Sequence, residues 1–279
     1  MTKGATISRF APSPTGLLHL GHAYSAALAT EAERFLLRIE DLDPGRSRPE
    51  FVAAIDRDLA WLGLAPAEPP LVQSGRSMHY QVALDRLRGE GLAYACYCTR
   101  ADIAAALTAP HGLMPHYPGI CRDLPDDPAR RLETPHSWRL DVTKALSRTA
   151  LPTWREADTL HGGSRADLDD IVLARKDAPA SYHLACVVDD AASGVTLVTR
   201  GEDLRPSTLV QRLLQTLLEL PEPDYRHHRL VAHADGRRLA KRDQALSLAA
   251  MRAAGVDGPA LVADLRANRL PLGFALTHT

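Results

Sequence analysis

Short apolar runs and longer amphipathic stretches alternate along the first third of this chain. Residues 6–11 and 35–39 have the length of strands. The second run is mostly apolar, as in a buried strand, and leads into a polar Glu-Asp-Leu-Asp-Pro loop. Residues 49–62 and 77–90 instead repeat apolar side chains at helical spacing. The first of these helices is typical, with its apolar face at Phe51, Ile55, Leu59 and Leu62. This alternation predicts an α/β fold with a parallel sheet.

The pattern returns later in the chain after a less regular middle. Residues 182–189 and 196–199 read as two strands around a turn at 191–194, which predicts a hairpin-like connection, and a helix over 207–219 follows. We therefore expect a Rossmann-like nucleotide-binding domain that is interrupted by an insertion.

The predicted organisation has four parts. They are the first half of the catalytic domain (1–95), an inserted α+β subdomain (96–178), the second half of the catalytic domain (179–244) and a short helical C-terminus (245–279). The C-terminal part has helical spacing over 245–254 and 259–268.

Composition narrows the function classes. The chain has 279 residues and a formal net charge of −1, which argues against indiscriminate nucleic-acid binding. Neither a secretory h-region nor a membrane-spanning apolar run is present in the sequence, so a cytoplasmic enzyme without a membrane partner is the expectation. Any tRNA contact would use local arginine patches. Two candidates are Arg226-His-His-Arg229 with Arg237, Arg238 and Arg242, and the set Arg122, Arg130, Arg131 and Arg139.

A His-x-Gly-His segment, His19 to His22, follows the first predicted strand and a Pro/Gly-rich turn, and it opens a helical stretch. The N-terminus of a helix binds phosphate through free backbone N–H groups and the positive end of the dipole. Gly21 lets a flat ligand approach the backbone, and the two imidazoles lie on the same side of the first turn. An adenine nucleotide fits such a site. The helix has room for about three turns before residue 35, which shortens the crossover but spares its start.

A second segment, residues 238–242, carries Lys241 in a chain with only 4 lysines against 29 arginines. The ordered set of motifs resembles class I glutamyl-tRNA synthetases. The motifs are Arg9-Phe-Ala-Pro-Ser-Pro-Thr-Gly-x-x-His-x-Gly-His22, Arg38-Ile-Glu-Asp-Leu-Asp43, Arg200-Gly-Glu-Asp-Leu204 and Leu239-Ala-Lys241. The resemblance implies a class I catalytic domain that binds ATP with Mg²⁺. It assigns ATP binding to His19, Gly21, His22 and Lys241, with the two histidines and the lysine as catalytic residues.

The lysine segment departs from the family's usual Lys-Met-Ser-Lys-Ser. Arg238 replaces the first lysine, Ala240 the first serine and Arg242 the last serine. Losing a hydroxyl removes one phosphate donor, while the central lysine is retained, so we expect slower activation rather than none.

A glutamate pocket can be argued from charge. A dicarboxylate amino acid needs cations for its carboxylates and an anion for its ammonium, and Arg9, Arg200 and Glu40 supply them from strand ends. The resemblance assigns the same positions and adds Ala11, Ser13 and Tyr182. The competing interpretation is a salt-bridged loop of Arg38, Glu40, Asp41 and Asp43, which suits Arg38 and Asp41 better than Glu40.

The cysteines carry a separate signal. Cys96 and Cys98 stand one residue apart and Cys121 lies downstream, a set that suits thiolate ligation of Zn²⁺ better than a mutual disulfide. The fourth ligand is Tyr117 by resemblance to the glutamyl-Q branch of the family, or else His116, His111 or water. The zinc would be structural, and Cys186 reads as a core residue.

The same spacing and the short stretch after the lysine segment resemble that glutamyl-Q branch, whose members lack a distal anticodon-binding domain. The branch activates L-glutamate without tRNA and attaches it to queuosine in the anticodon stem-loop of tRNA(Asp). We expect these partners and a monomer. The alternatives are a truncated synthetase that charges a tRNA 3′ end, a small nucleotidylyltransferase, and a non-catalytic paralogue that binds tRNA or an amino acid.

Overall fold

The computed structural model describes residues 4–99, 101–103, 117–237, 239 and 247–277. The helices are α1 (Leu20–Ala29), α2 (Pro49–Leu62), α3 (Ser77–Gly89), α4 (Pro128–Glu133), α5 (Val142–Arg148), α6 (Tyr182–Ala192), α7 (Arg205–Leu217), α8 (Leu248–Ala253) and α9 (Gly258–Arg266). The strands are β1 (Ile7–Phe10), β2 (Arg34–Ile39), β3 (Leu71–Val72), β4 (Ala93–Cys96), β5 (Ser137–Leu140), β6 (Trp154–Glu156), β7 (Thr159–His161), β8 (Val172–Ala174), β9 (Leu197–Gly201), β10 (Asp224–His228), β11 (Val231–His233) and β12 (Phe274–Leu276). Single 3₁₀ turns span Gln73–Arg76, Arg165–Asp167 and Glu202–Leu204.

Two parallel arrangements form the central layer. In the first, β1 pairs with β2 and β2 with β3, and in the second, β10 pairs with both β9 and β6. The backbone N–H of Thr196 donates to the carbonyl of Ile7 (3.0 Å) and joins the two at β1 and β9. Strand order reverses at this junction, and in open α/β sheets ligands bind at the carboxyl ends of strands at such a point. The Rossmann-like prediction is confirmed.

The predicted hairpin over 182–199 is wrong, because residues 182–192 form α6 and only β9 is a strand. Ser181 caps the helix by accepting from the backbone N–H of Leu184 (3.5 Å). A run of apolar residues buried on most sides has no clear period, so the sequence alone does not distinguish a buried helix from a buried strand. The other predicted helices and strands of the catalytic domain occur within a few residues of their expected bounds.

The predicted insertion contributes to two sheets. Strands β4, β5 and β8 form a separate antiparallel sheet, while β6 pairs with β10 and thus extends the central layer. Leu140, Val142 and Leu173 belong to the same buried apolar cluster as Leu184 and Leu213 of the catalytic part. The described part of the insertion is therefore packed into the main core, and its boundaries at 96 and 178 stay a prediction.

A second apolar cluster lies under α1 and α2 and takes in both C-terminal helices. Helix α9 starts against the end of α2, where a Cβ on Gly258 would come within 2.1 Å of the carbonyl oxygen of Trp61. The short α1, ten residues long, fits the predicted three turns. In the described part of the chain, no helix is long and apolar enough to cross a membrane.

Candidate active site

A cavity of about 640 Å³ opens at the carboxyl ends of β1 and β9. Its volume is within the range of small-molecule sites. It is lined by all the described residues that the sequence assigned to ATP and glutamate, namely Arg9, Ala11, Ser13, His19, Gly21, His22, Glu40, Tyr182 and Arg200. The sequence-predicted residues are thus brought together at one site.

At one end of the cavity, the two histidines form the N-terminal cap of α1. The Nδ1 of His19 accepts from the backbone N–H of Gly21 (3.2 Å), and the Nδ1 of His22 accepts from the backbone N–H of His19 (3.1 Å). This is a capping box in which histidines replace the usual Ser/Thr and Glu/Gln. The segment therefore has a structural role beside any catalytic one.

The cap also fixes the tautomer of the two imidazoles. Because each Nδ1 accepts a hydrogen bond, the hydrogen of each neutral ring lies on Nε2, the form that can donate to a phosphate oxygen. The ring centroids are 3.9 Å apart. A Cβ on Gly21 would press on the His19 ring at 3.1 Å, so glycine keeps that ring in place.

The same end of the cavity has an apolar wall and a third histidine. Leu230, Val231 and Leu239 line it together with His228, whose Nε2 lies 2.6 Å from Ser25 Oγ. Sequence analysis missed His228, since a His-His pair flanked by arginines suggests an exposed basic patch.

The lysine segment is only partly described. Leu239 lines the cavity. Ser247 forms an isolated antiparallel β-bridge with His19, and the backbone N–H of Leu248 donates to the carbonyl of Leu18 (2.8 Å). Both flanks of the segment therefore lie at the start of α1. Lys241, with Arg238, Ala240 and Arg242, lies outside the described residues.

The other end of the cavity is built on buried ion pairs. Arg9 binds both carboxylate oxygens of Asp190 through Nε (2.8 Å) and one terminal nitrogen (3.2 Å). Arg38 shares the same carboxylate (2.5 Å) and also pairs with Glu40 (3.1 Å). Glu40 is thus part of an ion network with Arg38, although the salt-bridged-loop interpretation suited Arg38 and Asp41 better than Glu40.

Arg200 is held differently, by neutral partners. Its Nε donates to His227 Nε2 (3.2 Å), and its terminal nitrogens donate to Gln211 Oε1 (2.6 Å) and Thr208 Oγ1 (2.7 Å). Among the described residues, these bonds use three of the five guanidinium hydrogens and leave one on each terminal nitrogen. Two parallel N–H donors on one guanidinium match a carboxylate.

Burial and charge set the protonation states here. The guanidinium groups of Arg38 and Arg9 hold the pKa of Asp190 well below its usual range, although burial opposes this. Burial raises the pKa of Glu40 above its ordinary value, against the attraction of Arg38. Burial and Asp190 together raise the pKa of the Cys186 thiol to about 11, which keeps it neutral.

The resulting charge is complementary to a dicarboxylate amino acid. Three guanidinium groups (Arg9, Arg38 and Arg200) face two carboxylates (Glu40 and Asp190), which leaves one net positive charge in the buried cluster. Glutamate carries one net negative charge. Sequence analysis missed Asp190, although a pair of acidic residues inside an apolar run is a signal for buried ion partners.

A second cavity of about 410 Å³ adjoins the first. The two share Ser13, Glu40 and Tyr182 in their walls, and the second extends to Arg175 near the end of the insertion. Burial raises the pKa of the Tyr182 phenol, so its hydroxyl stays protonated.

The cysteine cluster is separate from the cavities. The Sγ atoms of Cys96, Cys98 and Cys121 all lie within 4.8 Å of one another. Tyr117 Oη lies 3.3 Å from Cys96 Sγ and 3.4 Å from Cys98 Sγ. Three thiols and one phenol around a common point are a donor set that can hold a metal ion. His111 and His116, the other fourth-ligand candidates, lie outside the described residues.

In the arginine patch of the insertion, most side chains have partners within the protein. Arg122 binds the buried Asp170 (2.6 Å), and Arg139 donates to the Asp170 carbonyl (2.7 Å), so both brace the insertion. Arg131 pairs with Asp126. Arg130 is exposed and stacks on the Tyr97 ring at 3.9 Å.

The other patch has buried histidines and arginines at the surface. Arg226 pairs with Glu31 and Arg237 with Asp235, while the His227 side chain is fully buried. Arg238 and Arg242 belong to the residues that are not described. Arg229 is exposed, and the ion pairs of Arg226 and Arg237 lie at the surface, so part of the predicted basic surface is present.

A Rossmann-like sheet with a helix-capping His-x-Gly-His segment and a buried arginine–carboxylate cluster defines a nucleotide-dependent enzyme of the class I synthetase type. The family model for tRNA synthetases class I (E and Q), catalytic domain, matches residues 6–269. The glutamyl-Q tRNA(Asp) synthetase of Nocardia farcinica is 48% identical over 88% of this chain and 79% of the relative, and that of Rhodobacter capsulatus is 44% identical over 93% and 98%. The chain therefore belongs to the class I (E and Q) synthetase family and, within it, groups with the glutamyl-Q tRNA(Asp) synthetases.

Solved structures agree with this assignment of the fold. A glutamate tRNA ligase from Elizabethkingia meningosepticum in complex with its amino acid superposes with a TM-score of 0.71 at 27% identity. The match covers 86% of this chain and 52% of that one, so the present chain spans about half the length of the solved ligase.

Proposed function

We propose that this protein activates L-glutamate with ATP, without tRNA, and transfers it to queuosine in the anticodon stem-loop of tRNA(Asp). The observation that carries the proposal is a single cavity that joins a glutamate-complementary ion cluster to the N-terminus of α1. The names of the most similar relatives favour this reaction over the alternatives.

Glutamate binds at the arginine end of the cavity. Arg200 and Arg9 hold its carboxylates, and Glu40 takes the ammonium. Ala11 and Ser13 in the turn after β1 line the wall of this pocket, and Tyr182 adds a hydroxyl that stays protonated. Burial makes each of these polar contacts stronger than it would be in water.

Activation needs no general base, because the α-carboxylate is already ionised and is itself the nucleophile. One carboxylate oxygen forms a bond to the α-phosphorus of ATP, the bond from that phosphorus to the bridging oxygen breaks, and pyrophosphate leaves. His19, His22 and Lys241 neutralise the charge that develops on the phosphates. Holding both substrates in one cavity supplies the alignment.

Transfer follows from the same intermediate. A hydroxyl of the queuosine cyclopentene-diol attacks the carbonyl carbon of glutamyl-adenylate, an ester forms, and AMP leaves. The attacking hydroxyl of the diol loses its proton as the ester forms. The second cavity beside Glu40 and Tyr182 offers a path for the diol to that carbonyl.

Pyrophosphate exchange tests the first half-reaction. With ATP, labelled pyrophosphate and a panel of amino acids but no tRNA, we expect exchange with glutamate. Lys241→Ala should lose most of it. Exchange with another amino acid only, or with none, would contradict glutamate activation, and an unchanged rate in Lys241→Ala would remove that lysine from the mechanism.

A mapped transfer assay tests the acceptor. Labelled glutamate, ATP and the protein are offered to tRNA(Asp) with queuosine, to tRNA(Asp) with guanosine in its place, and to tRNA(Glu). Nuclease digestion should place the label in the anticodon loop of the queuosine-containing tRNA alone. Label on the terminal adenosine of tRNA(Glu) would instead indicate a synthetase that charges 3′ ends.

We also propose that Cys96, Cys98, Cys121 and Tyr117 hold one structural Zn²⁺. The fit is supported by the Sγ and Oη separations, and zinc would tie the start of the insertion to the loop near residue 120. Metal analysis after purification without chelators should find one zinc per chain. Cys98→Ser should lose it and Cys186→Ser should keep it, and a zinc-free wild type would refute the assignment.

A further inference from the structure

Arg200 lines the cavity from β9, and its neighbouring strand β10 pairs in turn with β6 of the predicted insertion. Its guanidinium Nε donates to His227 Nε2 on the neighbouring strand β10 (3.2 Å). Thr208 Oγ1, which accepts from Arg200, lies 3.1 Å from the same imidazole nitrogen. His227 is therefore the group that fixes the Nε edge of the arginine.

Glu156, on β6 of the insertion, holds the other side of His227. One of its oxygens accepts from the His227 backbone N–H (2.7 Å), and the other lies 3.2 Å from Nδ1. Arg205 keeps the carboxylate oriented through two bonds (2.7 and 3.2 Å). Because Nε2 accepts from Arg200, the ring hydrogen lies on Nδ1 and donates to Glu156.

We propose that His227 is a positioning residue for glutamate binding, which orients Arg200 and is itself held in the Nδ1–H tautomer by Glu156. The inference rests on the proposed function, in which Arg200 takes a substrate carboxylate. It gives part of the insertion, strand β6, a role in amino-acid recognition.

The physical argument is that an arginine side chain is long and must be immobilised to present its remaining N–H groups in a fixed direction. Gln211 and Thr208 hold the terminal nitrogens, and without His227 the Nε hydrogen would be buried without a partner. Burial and the charge of Arg200 lower the pKa of His227 to about 4, so the ring is neutral near pH 7 and can accept.

The expected effect is selective for the amino acid. His227 and Glu156 lie behind Arg200, whereas His19, Gly21 and Leu239 line the nucleotide end of the cavity. Loss of the hydrogen bond should therefore raise the KM for glutamate and leave the KM for ATP unchanged.

Pyrophosphate exchange with three variants provides the kinetic test. His227→Leu removes the acceptor at similar volume and should raise the glutamate KM about tenfold or more. His227→Gln, whose amide oxygen can accept from Arg200, should recover most of the loss. His161→Leu is the matched control, because His161 lies 3.9 Å from the same Glu156 carboxylate but belongs to β7 at the edge of the sheet, and it should leave both KM values unchanged.

The opposite results would overturn the inference. Equal rises in both KM values, no rise in a folded His227→Leu variant, or no recovery in His227→Gln would each do so. If His227→Leu does not fold, Glu156→Gln serves instead, with a smaller rise in the glutamate KM alone expected and an unchanged one contradicting the proposal.

A spectroscopic measurement keeps this test separate from that of the proposed function. Nitrogen-15 shifts of His227 in the intact wild-type protein at neutral pH should report hydrogen on Nδ1, and hydrogen on Nε2 would refute the tautomer and the bond from Arg200. A wild type that fails to exchange with glutamate would refute the proposed function. The KM values for the amino acid and for ATP would then be measured with whichever amino acid supports exchange. If His227→Leu weakens neither the KM for that amino acid nor amino-acid binding, the positioning role is refuted.

Discussion

Glu40 is a largely buried carboxylate whose charge the fold alone does not favour. Burial raises the pKa of this carboxyl even though Arg38 attracts it. A carboxyl whose pKa is higher in the folded than in the unfolded protein adds stability only at low pH, and that stability is lost as the pH rises through the folded pKa. At neutral pH, the Glu40 charge is therefore held at a cost to stability, which is expected of a carboxylate kept for the proposed binding of the substrate ammonium.

Glu40→Gln should separate these two effects. We expect an unfolding temperature at pH 7 that is equal to or above that of the wild type, because the buried charge is removed. The variant should bind glutamate more weakly by about 2–5 kcal/mol, since the substrate ammonium loses its buried partner. Thermal unfolding and the KM for glutamate measure the two.

The pH dependence gives a further check on the same residue. In the wild type, the KM for glutamate should rise as the pH falls through a pKa above 4.5, and this rise should be absent in Glu40→Gln. Glu68→Gln, at an exposed carboxylate paired with Arg34, is the control that should change neither property. A clear loss of stability in Glu40→Gln would contradict the analysis.

At the residue scale, the sequence predicts the charged residues that line the cavity but not the residues that hold them in place. Arg9, Glu40 and Arg200 follow from the needs of a dicarboxylate substrate, and they line one cavity, though their roles stay a prediction. Asp190 and His227 come from other elements and act through tertiary contacts. The two adjacent acidic residues, Asp189 and Asp190, in an apolar run indicate that buried ion partners are needed, but the sequence does not tell which residues those partners are.

At the scale of elements, α1 joins stability to chemistry in one tetrapeptide. His19 and His22 cap the helix through Nδ1, while the resemblance assigns the same rings to ATP. An alanine substitution would disturb both roles, and loss of an N-cap costs about 1 kcal/mol on its own. Reduced activity in such a variant would not identify the cause.

A double variant that rebuilds the cap resolves this. His19→Ser with His22→Gln restores an ordinary Ser-x-x-Gln capping box without imidazoles. We expect an unfolding temperature close to that of the wild type and a loss of most glutamate-dependent exchange. The matched control, His19→Ala with His22→Ala, should lose stability by about 1–2 kcal/mol as well. Retained exchange in the capped variant would show that the histidines act only as a cap.

The pattern of apolar residues decides which helices and strands can be predicted from the sequence. Helices such as α2 have one apolar face, and β2 is a short apolar run before a polar loop, so their periods are readable. Helix α6 is buried along most of its length, and both of its acidic residues, Asp189 and Asp190, are buried with partners from other elements. The polar face that would have marked it as a helix is therefore missing.

At the scale of the whole molecule, a net charge of −1 means that binding to tRNA depends on a few exposed cations. The structure turns Arg122 and Arg139 inward, onto Asp170 and its backbone. Arg130, exposed on α4, stands on the Tyr97 ring as the member of that set best placed to meet a phosphate. The two half-reactions should consequently respond differently to salt.

Transfer to tRNA should weaken steeply as salt increases, whereas glutamate-dependent pyrophosphate exchange should change little. Phosphate contacts release counterions from the nucleic acid, so the logarithm of the binding constant falls linearly with the logarithm of salt concentration. The adenylate reaction would take place between small ligands in the cavity and release no counterions from a nucleic acid, so it should lack this dependence. The measurement is the KM for queuosine-containing tRNA(Asp) beside the exchange rate, over the same salt series.

Arg130→Gln then assigns part of the salt slope to one residue. Losing one phosphate contact should weaken tRNA binding and reduce the slope by about one. The matched control is Arg269→Gln, an exposed arginine beyond α9 that pairs with Asp264 and lies outside the insertion. It should leave the slope unchanged. Equal slopes for Arg130→Gln and the wild type would place the phosphate contacts elsewhere on the protein, and a salt-independent transfer would contradict recognition of the anticodon stem-loop through its backbone.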